Sequence, residues 1–367
     1  MDNSEQLDTL NISKKLKNIL LLAKKVFGDN DVTNLTEAEI TEINKQAIPK
    51  NRHSKKLLQT RIKEIEHDTF IIPVEEGALT GYFYQPKTNQ SSQMTSLRPL
   101  IIFYHGGGWV WGNMELYQYV CMRLASITNA AVLAVDYRLA PKNKFPTAVE
   151  DCYDAFLWAS AGARYWKVDS ERIYVMGDSA GGNLAAVVCR LARDRKGPHI
   201  AGQVLLYPVT DGRMKTASYD EFKDSPTLTS KTMQFFIKSY QREPKDILNP
   251  LFSPLLSKDH SRLPPALIIG AEYDPLRDDG RLYSDALESA DTPVKYLECK
   301  ETVHGYYVFP RATGTQESEA AIIQFISGRP VGHINLMTFK ELKAQNKNEL
   351  KNIKKNKDFI AVGVSGA

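Results

Sequence analysis

Residues Gly177-Asp178-Ser179-Ala180-Gly181 set one serine among small neighbours. An apolar, β-rich run from Arg172 to Met176 precedes them, and Gly182 to Ala192 suits a helix. A serine at a strand–turn–helix junction sits in a strained backbone, with its hydroxyl above the end of the sheet. The helix N-terminus beside it carries partial positive charge and favours a developing anion. The chemistry open to such a serine is nucleophilic attack on an acyl carbon. By itself the pentapeptide is also an ordinary glycine-rich βα turn, so the other parts of the machinery must decide.

A serine hydroxyl needs a base to take its proton and a third group to orient that base. With a nucleophile in this context, the acid and then the histidine are expected downstream, each after a later strand. Asp274 lies just past the strand-like run Ala266 to Gly270, and His304 lies past Val294 to Leu297. The order Ser179, Asp274, His304 fits. His53 and His67 precede the sheet, His199 sits in a Gly-Pro-His turn, His260 in a polar loop and His333 in the tail. His105 follows a strand but precedes the serine and heads a glycine run, where it would hold the loop's shape. For the acid, Asp278 and Asp279 fall within a helix starting near Leu276 and would stabilise its first turn. Glu272 is the serious rival to Asp274, whose simplest other role is a turn residue before Pro275.

Acyl transfer also needs backbone N–H donors for the oxyanion. One would be Ala180, directly after the nucleophile. The others would come from His105-Gly106-Gly107-Gly108-Trp109, with Gly107 and Gly108 as donors and Gly106 aiding the bend. No Lys-Ser/Thr follows this run, so it is not a phosphate-binding P-loop.

Strands and helices that could carry these loops alternate along the chain. Residues 4–64 read as helices, with Thr36 and Glu39 as a capping box and a basic helix from Lys55 to Lys63. His67 to Val74 and Ala78 to Tyr84 form a hairpin about Glu75-Glu76-Gly77, expected at an antiparallel edge. Ser91 to Thr95 reads as a polar loop. Leu100 to Tyr104 is a strand buried on both faces. Helices follow at Tyr117 to Thr128, Pro146 to Ser160, Leu276 to Ala290 and Gln316 to Ile326, and strands at Ala131 to Val135 and Gly202 to Leu206. The alternation implies an α/β fold, with a mainly parallel central sheet flanked by helices. Asp211 to Pro250, helical over Ser230 to Tyr240, reads as an insertion after a strand. Residues 329–367 form a Lys-rich C-terminal extension, expected to be solvated or loosely helical; contact with an anionic membrane or a partner is its minority reading.

Composition sets the bounds. The chain has 367 residues, 43% hydrophobic and 25% charged, with a net charge of +4. That mix is globular and gives no case for nucleic acid as a partner. Cys121, Cys152, Cys189 and Cys299 are widely spaced, which suggests free thiols, a reducing compartment and no zinc site, with one disulfide left open. Met1-Asp2-Asn3-Ser4-Glu5 is acidic where a signal peptide is basic, and Ile19 to Ala23 is too short to span a membrane. A cytoplasmic location is the expected default.

Together the motifs resemble the hormone-sensitive-lipase family of α/β-hydrolase esterases. The resemblance rests on His105 to Trp109, Gly177 to Gly182, Asp136-Tyr137-Arg138-Leu139-Ala140-Pro141, Phe145-Pro146, Glu150-Asp151, Tyr273 to Asp278 and His304-Gly305-Tyr306, and covers about His67 to Ile326. It implies a serine carboxylic-ester hydrolase with the triad Ser179, Asp274 and His304, and it favours Asp274 over Glu272. It implies an oxyanion hole from Gly106, Gly107, Gly108 and Ala180, no cofactor or metal, and short- to medium-chain acyl esters as substrates. It further implies a catalytic domain over residues 61–328, capped by residues 1–60 and 211–250. Trp109, Trp111 and aromatics of the first helices are candidates for the acyl pocket, or else core residues. Lys142, Lys144 and Tyr306 depart from the family's usual residues. A non-catalytic small-molecule binder, or an amidase, thioesterase or lactonase using the same triad, are the alternatives.

Overall fold

The computed structural model describes residues 7, 10–28, 32–60, 62, 64–87, 97–112, 114–338 and 340–347. Its centre is an eight-stranded sheet. The strands are β1 (Ile65–Val74), β2 (Gly77–Pro86), β3 (Arg98–Tyr104), β4 (Ala131–Asp136), β5 (Val168–Asp178), β6 (Gly202–Leu206), β7 (Ala266–Tyr273) and β8 (Val294–Val303). Their spatial order is β1-β2-β4-β3-β5-β6-β7-β8. β1 pairs antiparallel with β2, and β2 with β4; every other pairing is parallel. The hairpin therefore forms the antiparallel edge that its turn residues predict.

Alternation within the strands feeds two cores. Leu100, Ile102, Leu133, Val175, Leu205 and Ile268 face one layer. Ile101, Phe103, Val132, Met176, Val204 and Leu267 face the other. The first layer is covered by α5 (Thr147–Gly162), α6 (Ala180–Asp194) and α9 (Arg277–Glu288). The second is covered by α4 (Met114–Thr128) and α10 (Thr315–Ile326). Neighbouring strand residues alternate between faces, so a parallel sheet must be apolar on both.

β7 and β8 run further than their apolar cores. They keep pairing through Gly270↔Glu298 and Ala271↔Cys299, and after an irregularity meet again at Tyr273↔Val303. Glu298, Lys300 and Glu301 suit an edge strand, whose outer side faces water. This extension carries Asp274 and His304 to neighbouring strand ends.

The N-terminal segment contains α1 (Lys14–Phe27), α2 (Glu37–Lys45) and α3 (Arg52–Leu58). The Thr36–Glu39 capping box is present in both directions. α3 begins earlier than Lys55, because Asn51 Oδ1 accepts from the N–H groups of His53 and Ser54, at 2.9 and 3.1 Å. These helices dock on the rest of the chain. Leu16 and Leu20 enter the second core, and Leu57 and Leu58 pack with Ile48 and Val308. Asn44 Nδ2 donates to Val110 O (2.9 Å), and Asn44 Oδ1 accepts from Gly112 N (3.2 Å).

The long connection after β6 holds α7 (Ala217–Glu221), α8 (Ser230–Tyr240) and two short 3-10 turns. The C-terminal extension departs from a purely solvated tail. Ile334 is fully buried, and Gln324 Nε2 donates to Asn335 O at 2.8 Å. Thr338 and Glu341 cap a helical stretch over 340–347, in which Leu342 is buried. Apolar Ile334, Leu336 and Leu342 account for the docking. Lys351, Lys354, Lys355 and Lys357, like the loop Ser91 to Thr95, lie outside the described residues. No helix among the described residues is long and apolar enough to cross a membrane.

Candidate active site

Four parallel strands, β3, β5, β7 and β8, each deliver one part of the site, with β6 lying between β5 and β7. β5 leads into Ser179, with φ 56° and ψ −118°. For a residue bearing a Cβ this is strained backbone, tolerated where the surroundings over-determine it. They do so here. Ser179 N donates to Leu206 O at 2.9 Å, and Ser179 O accepts from Asn183 N at 3.1 Å as α6 begins. Gly181 lies on the Tyr104 carbonyl, where a Cβ would have no room.

β7 and β8 end at Asp274 and His304. His304 Nε2 lies 2.9 Å from Ser179 Oγ, and His304 Nδ1 lies 2.7 Å from Asp274 Oδ2. A carboxylate only accepts, so the proton between them belongs on Nδ1. That leaves the Nε2 lone pair facing the serine hydroxyl, the tautomer a base requires. The second oxygen of Asp274 accepts from Leu276 N at 2.8 Å, so both carboxylate oxygens are fixed. Asp274 is fully buried and His304 and Ser179 nearly so. The ring of Tyr207 meets the imidazole edge to face at 4.8 Å. Tyr207 itself has φ 33°, a rare conformation for a bulky residue.

β3 ends in the glycine loop. Gly107 and Gly108 have φ of 111° and 61°, which favour glycine. The N–H groups of Gly107, Gly108 and Ala180 make no hydrogen bond among the described residues. Gly106 differs from expectation. Its N–H donates to Asp178 Oδ1 (2.9 Å) and to Tyr117 Oη (3.0 Å), so it does not face an oxyanion. Tyr117 Oη donates in turn to Asp178 Oδ2 at 3.0 Å. Burial pushes the Asp178 carboxyl up to about 6, against the opposing pull of these bonds. Asp178 thus ties the glycine loop to the serine turn. The sequence marks it only as the variable position of a pentapeptide, and nothing in the sequence marks Tyr117.

His105 holds the loop from behind. Its Nδ1 donates to Gly106 O at 2.7 Å, and its ring stacks on Tyr137 at 4.3 Å. Burial lowers it to about 4, so it stays neutral. Of the other histidines, His53, His67, His199 and His333 are exposed, and His260 contacts Pro254 O. Glu272 accepts from Glu301 N at 2.7 Å and meets Lys300, so it serves the β7–β8 edge and makes no bond to His304. Asp278 and Asp279 reach across to the connection after β6. Asp279 Oδ2 accepts from Thr210 N and Asp211 N, and Asp278 Oδ2 from Ser218 N. A helix's first turn is thus only part of their role; their short side chains tie a neighbouring loop. Burial, with the Asp211 charge adding, pushes Asp279 up to about 8. Trp109 is fully buried and stacked on Tyr240, so it is a core residue. Trp111 is partly exposed and meets Phe236 edge on at 4.8 Å. Tyr306 directs its hydroxyl to Ser318 Oγ at 2.6 Å, giving the extra oxygen a buried partner. All four cysteines are free and buried.

Two clefts, of about 790 and 510 Å³, lie against the β1–β2 hairpin, and no triad residue lines either. Aligned groups, rather than cavity size, single out the site at Ser179.

Known proteins share this fold. Residues 101–308 match the family model described as alpha/beta hydrolase fold. The arylesterase of Saccharolobus solfataricus is 34% identical over 278 residues, 75% of this chain and 84% of that one. The carboxylic ester hydrolase LipN of Mycobacterium tuberculosis is 40% identical over 64% of this chain and 62% of its own length. The solved structure of a hyperthermophilic esterase from the archaeon Pyrobaculum calidifontis superimposes with a TM-score of 0.74 at 35% identity, over 87% of this chain and 99% of that one.

Proposed function

This chain belongs to the α/β-hydrolase family, in its hormone-sensitive-lipase branch of esterases, and on that premise we propose that it hydrolyses carboxylic esters through an acyl-enzyme on Ser179. The single observation that carries this reading is the unbroken array Ser179 Oγ–His304–Asp274, at 2.9 and 2.7 Å. His304 Nε2 takes the hydroxyl proton as Oγ attacks the acyl carbon. Asp274 holds the ring and stabilises its charged form. The oxyanion is met by the N–H groups of Ala180, Gly107 and Gly108. His304 then returns the proton to the leaving alcohol, and water repeats the sequence to free the acid. Gly106 serves this hole by shaping it through Asp178.

The substrates in this reading are short- to medium-chain acyl esters. Trp111 and Phe236 crowd the oxyanion loop and support that limit. Residues 1–60 and 211–250 act as a two-part cap. The contacts of Asn44 with Val110 and Gly112, and of Thr227 with His304, support that division. The test is a p-nitrophenyl ester series from acetate to decanoate on the purified protein, with Ser179→Ala and Asp274→Asn. We expect turnover of the short esters, none above background for Ser179→Ala, and a loss of about 10⁴-fold in kcat for Asp274→Asn. Activity surviving in Ser179→Ala refutes the reading. Preference for an anilide over the matching ester moves it to the amidase class.

A further inference from the structure

Residues 225–240 carry none of the reacting groups, yet they touch the loops of the acid, the base and the oxyanion donors. Ser225 Oγ donates to Tyr273 O at 2.9 Å, the carbonyl just before Asp274. Thr227 Oγ1 donates to the carbonyl of His304 itself at 2.8 Å. Further on, the Phe236 ring covers the α-carbon of Gly108 so closely that a Cβ there would run into it. Tyr240 stacks on Trp109 at 4.6 Å and 8°. One short segment therefore contacts the acid loop, the base loop and the oxyanion loop through four separate side chains.

The segment is itself well anchored. Ser225 N donates to Phe222 O and Ser230 N to Lys223 O, closing the turn that presents Ser225 and Thr227. Thr229 caps α8 by accepting from Thr232 N at 3.0 Å. Met233, Phe236, Ile237 and Tyr240 lie along one face of α8 and are all buried. From below, Asn183 of α6 donates to Val209 O and Phe252 O at 3.0 and 2.8 Å, holding both ends of the connection.

The loops it touches need holding. His304 is followed by Gly305 at φ 76°, with open space where a side chain would be. No side chain of the following residue braces that turn, so a hydrogen bond to the His304 carbonyl fixes the peptide plane that aims the imidazole. Gly108 has no side chain to pack, and the Phe236 ring takes that place. Small displacements of a catalytic group cost large factors in rate.

We propose that residues 225–240 form a fixed clamp that sets the acid, the base and the oxyanion donors relative to one another, with Thr227 and Phe236 as its positioning residues. This rests on the triad reading above, since it is those groups that it positions.

The experiment measures kcat and KM with p-nitrophenyl acetate, whose two-carbon acyl group is small enough to need little of the cap. Variants are Thr227→Val, Thr227→Ser and Phe236→Ala, with Ser179→Ala as the control and thermal unfolding to confirm folding. Thr227→Val should lower kcat about tenfold, the order of one neutral hydrogen bond, with KM within about twofold. Labelling of Ser179 by a fluorophosphonate should slow by a similar factor, since it reads the nucleophile without an ester. Thr227→Ser, which keeps the hydroxyl, should recover most of both. Phe236→Ala should also lower kcat on acetate. Wild-type kcat in a folded Thr227→Val, a loss confined to KM, or failure of Thr227→Ser to recover the rate overturns the clamp. Full activity in Ser179→Ala would instead overturn the triad reading, whatever Thr227 does.

Discussion

Replacing Asp178 with asparagine separates two effects that its carboxylate combines. The group is buried, with its folded value raised from 3.8 to about 6. That rise corresponds to about 3 kcal/mol of ionisation cost in the native state. Because the folded value is the higher one, this cost is absent below pH 3.8. It grows as the pH rises and is complete above about pH 7. Asparagine carries none of it. Against this gain, the amide has a single neutral oxygen for two donors, the Gly106 N–H and the Tyr117 O–H, a loss of about 1–2 kcal/mol. Asp178→Asn should therefore unfold at the same temperature as the wild type or a higher one at pH 8. The difference should shrink as the pH falls to 5. Its kcat on a short ester should fall about 10–100-fold, because the glycine loop loses its charged anchor while keeping its donors; outright loss of an oxyanion donor costs about 10²–10³. The assays are melting curves from pH 5 to 8 and initial rates at pH 8. An Asp178→Asn protein that melts well below wild type at pH 8, or that keeps full kcat, refutes the reasoning.

Two further outcomes follow from the geometry. Gly108→Ala should be inactive and less stable, because its φ of 61° disfavours a side chain and the Phe236 ring fills the space; activity assays and melting curves read both. Glu319→Gln breaks a buried ion pair with Arg123, whose guanidinium also bonds the Tyr307 carbonyl close to His304. It should destabilise by about 3–5 kcal/mol, measured by chemical denaturation, because it leaves an unpaired buried charge.

The parts legible in the sequence are those with a local signature. Ser179 sits in a motif whose glycines answer a steric need, and Asp274 and His304 follow apolar runs that had to be strands. The sheet followed because buried parallel strands are apolar throughout. Illegible were the contacts that cross the fold. Asp178 and Tyr117 lie on separate elements, and their meeting depends on how α4 packs against β2 and β4 and sets the Tyr117 ring beside Phe103 of β3. Ser225 and Thr227 sit in a polar stretch that reads as surface, and only the return of the chain over β7 and β8 gives them partners. The limits of β8 were missed because an edge strand carries charges. Ile334, Leu336 and Leu342 are visibly apolar, but in a Lys-rich segment nothing local tells a docked residue from an exposed one.

The four unpaired cysteines give the molecule a set of silent internal reporters. Cys121 and Cys152 lie on α4 and α5 on opposite faces of the sheet, Cys189 on the helix behind the nucleophile, and Cys299 in the last strand. Each is shut off from solvent, and burial holds each thiol well above its ordinary value, so almost no reactive thiolate exists near neutrality. A thiol reagent can then modify a given layer only when that layer opens. Single-cysteine versions of the chain would turn the four positions into a map of which part of the native structure breathes first, read in the rate of colour development.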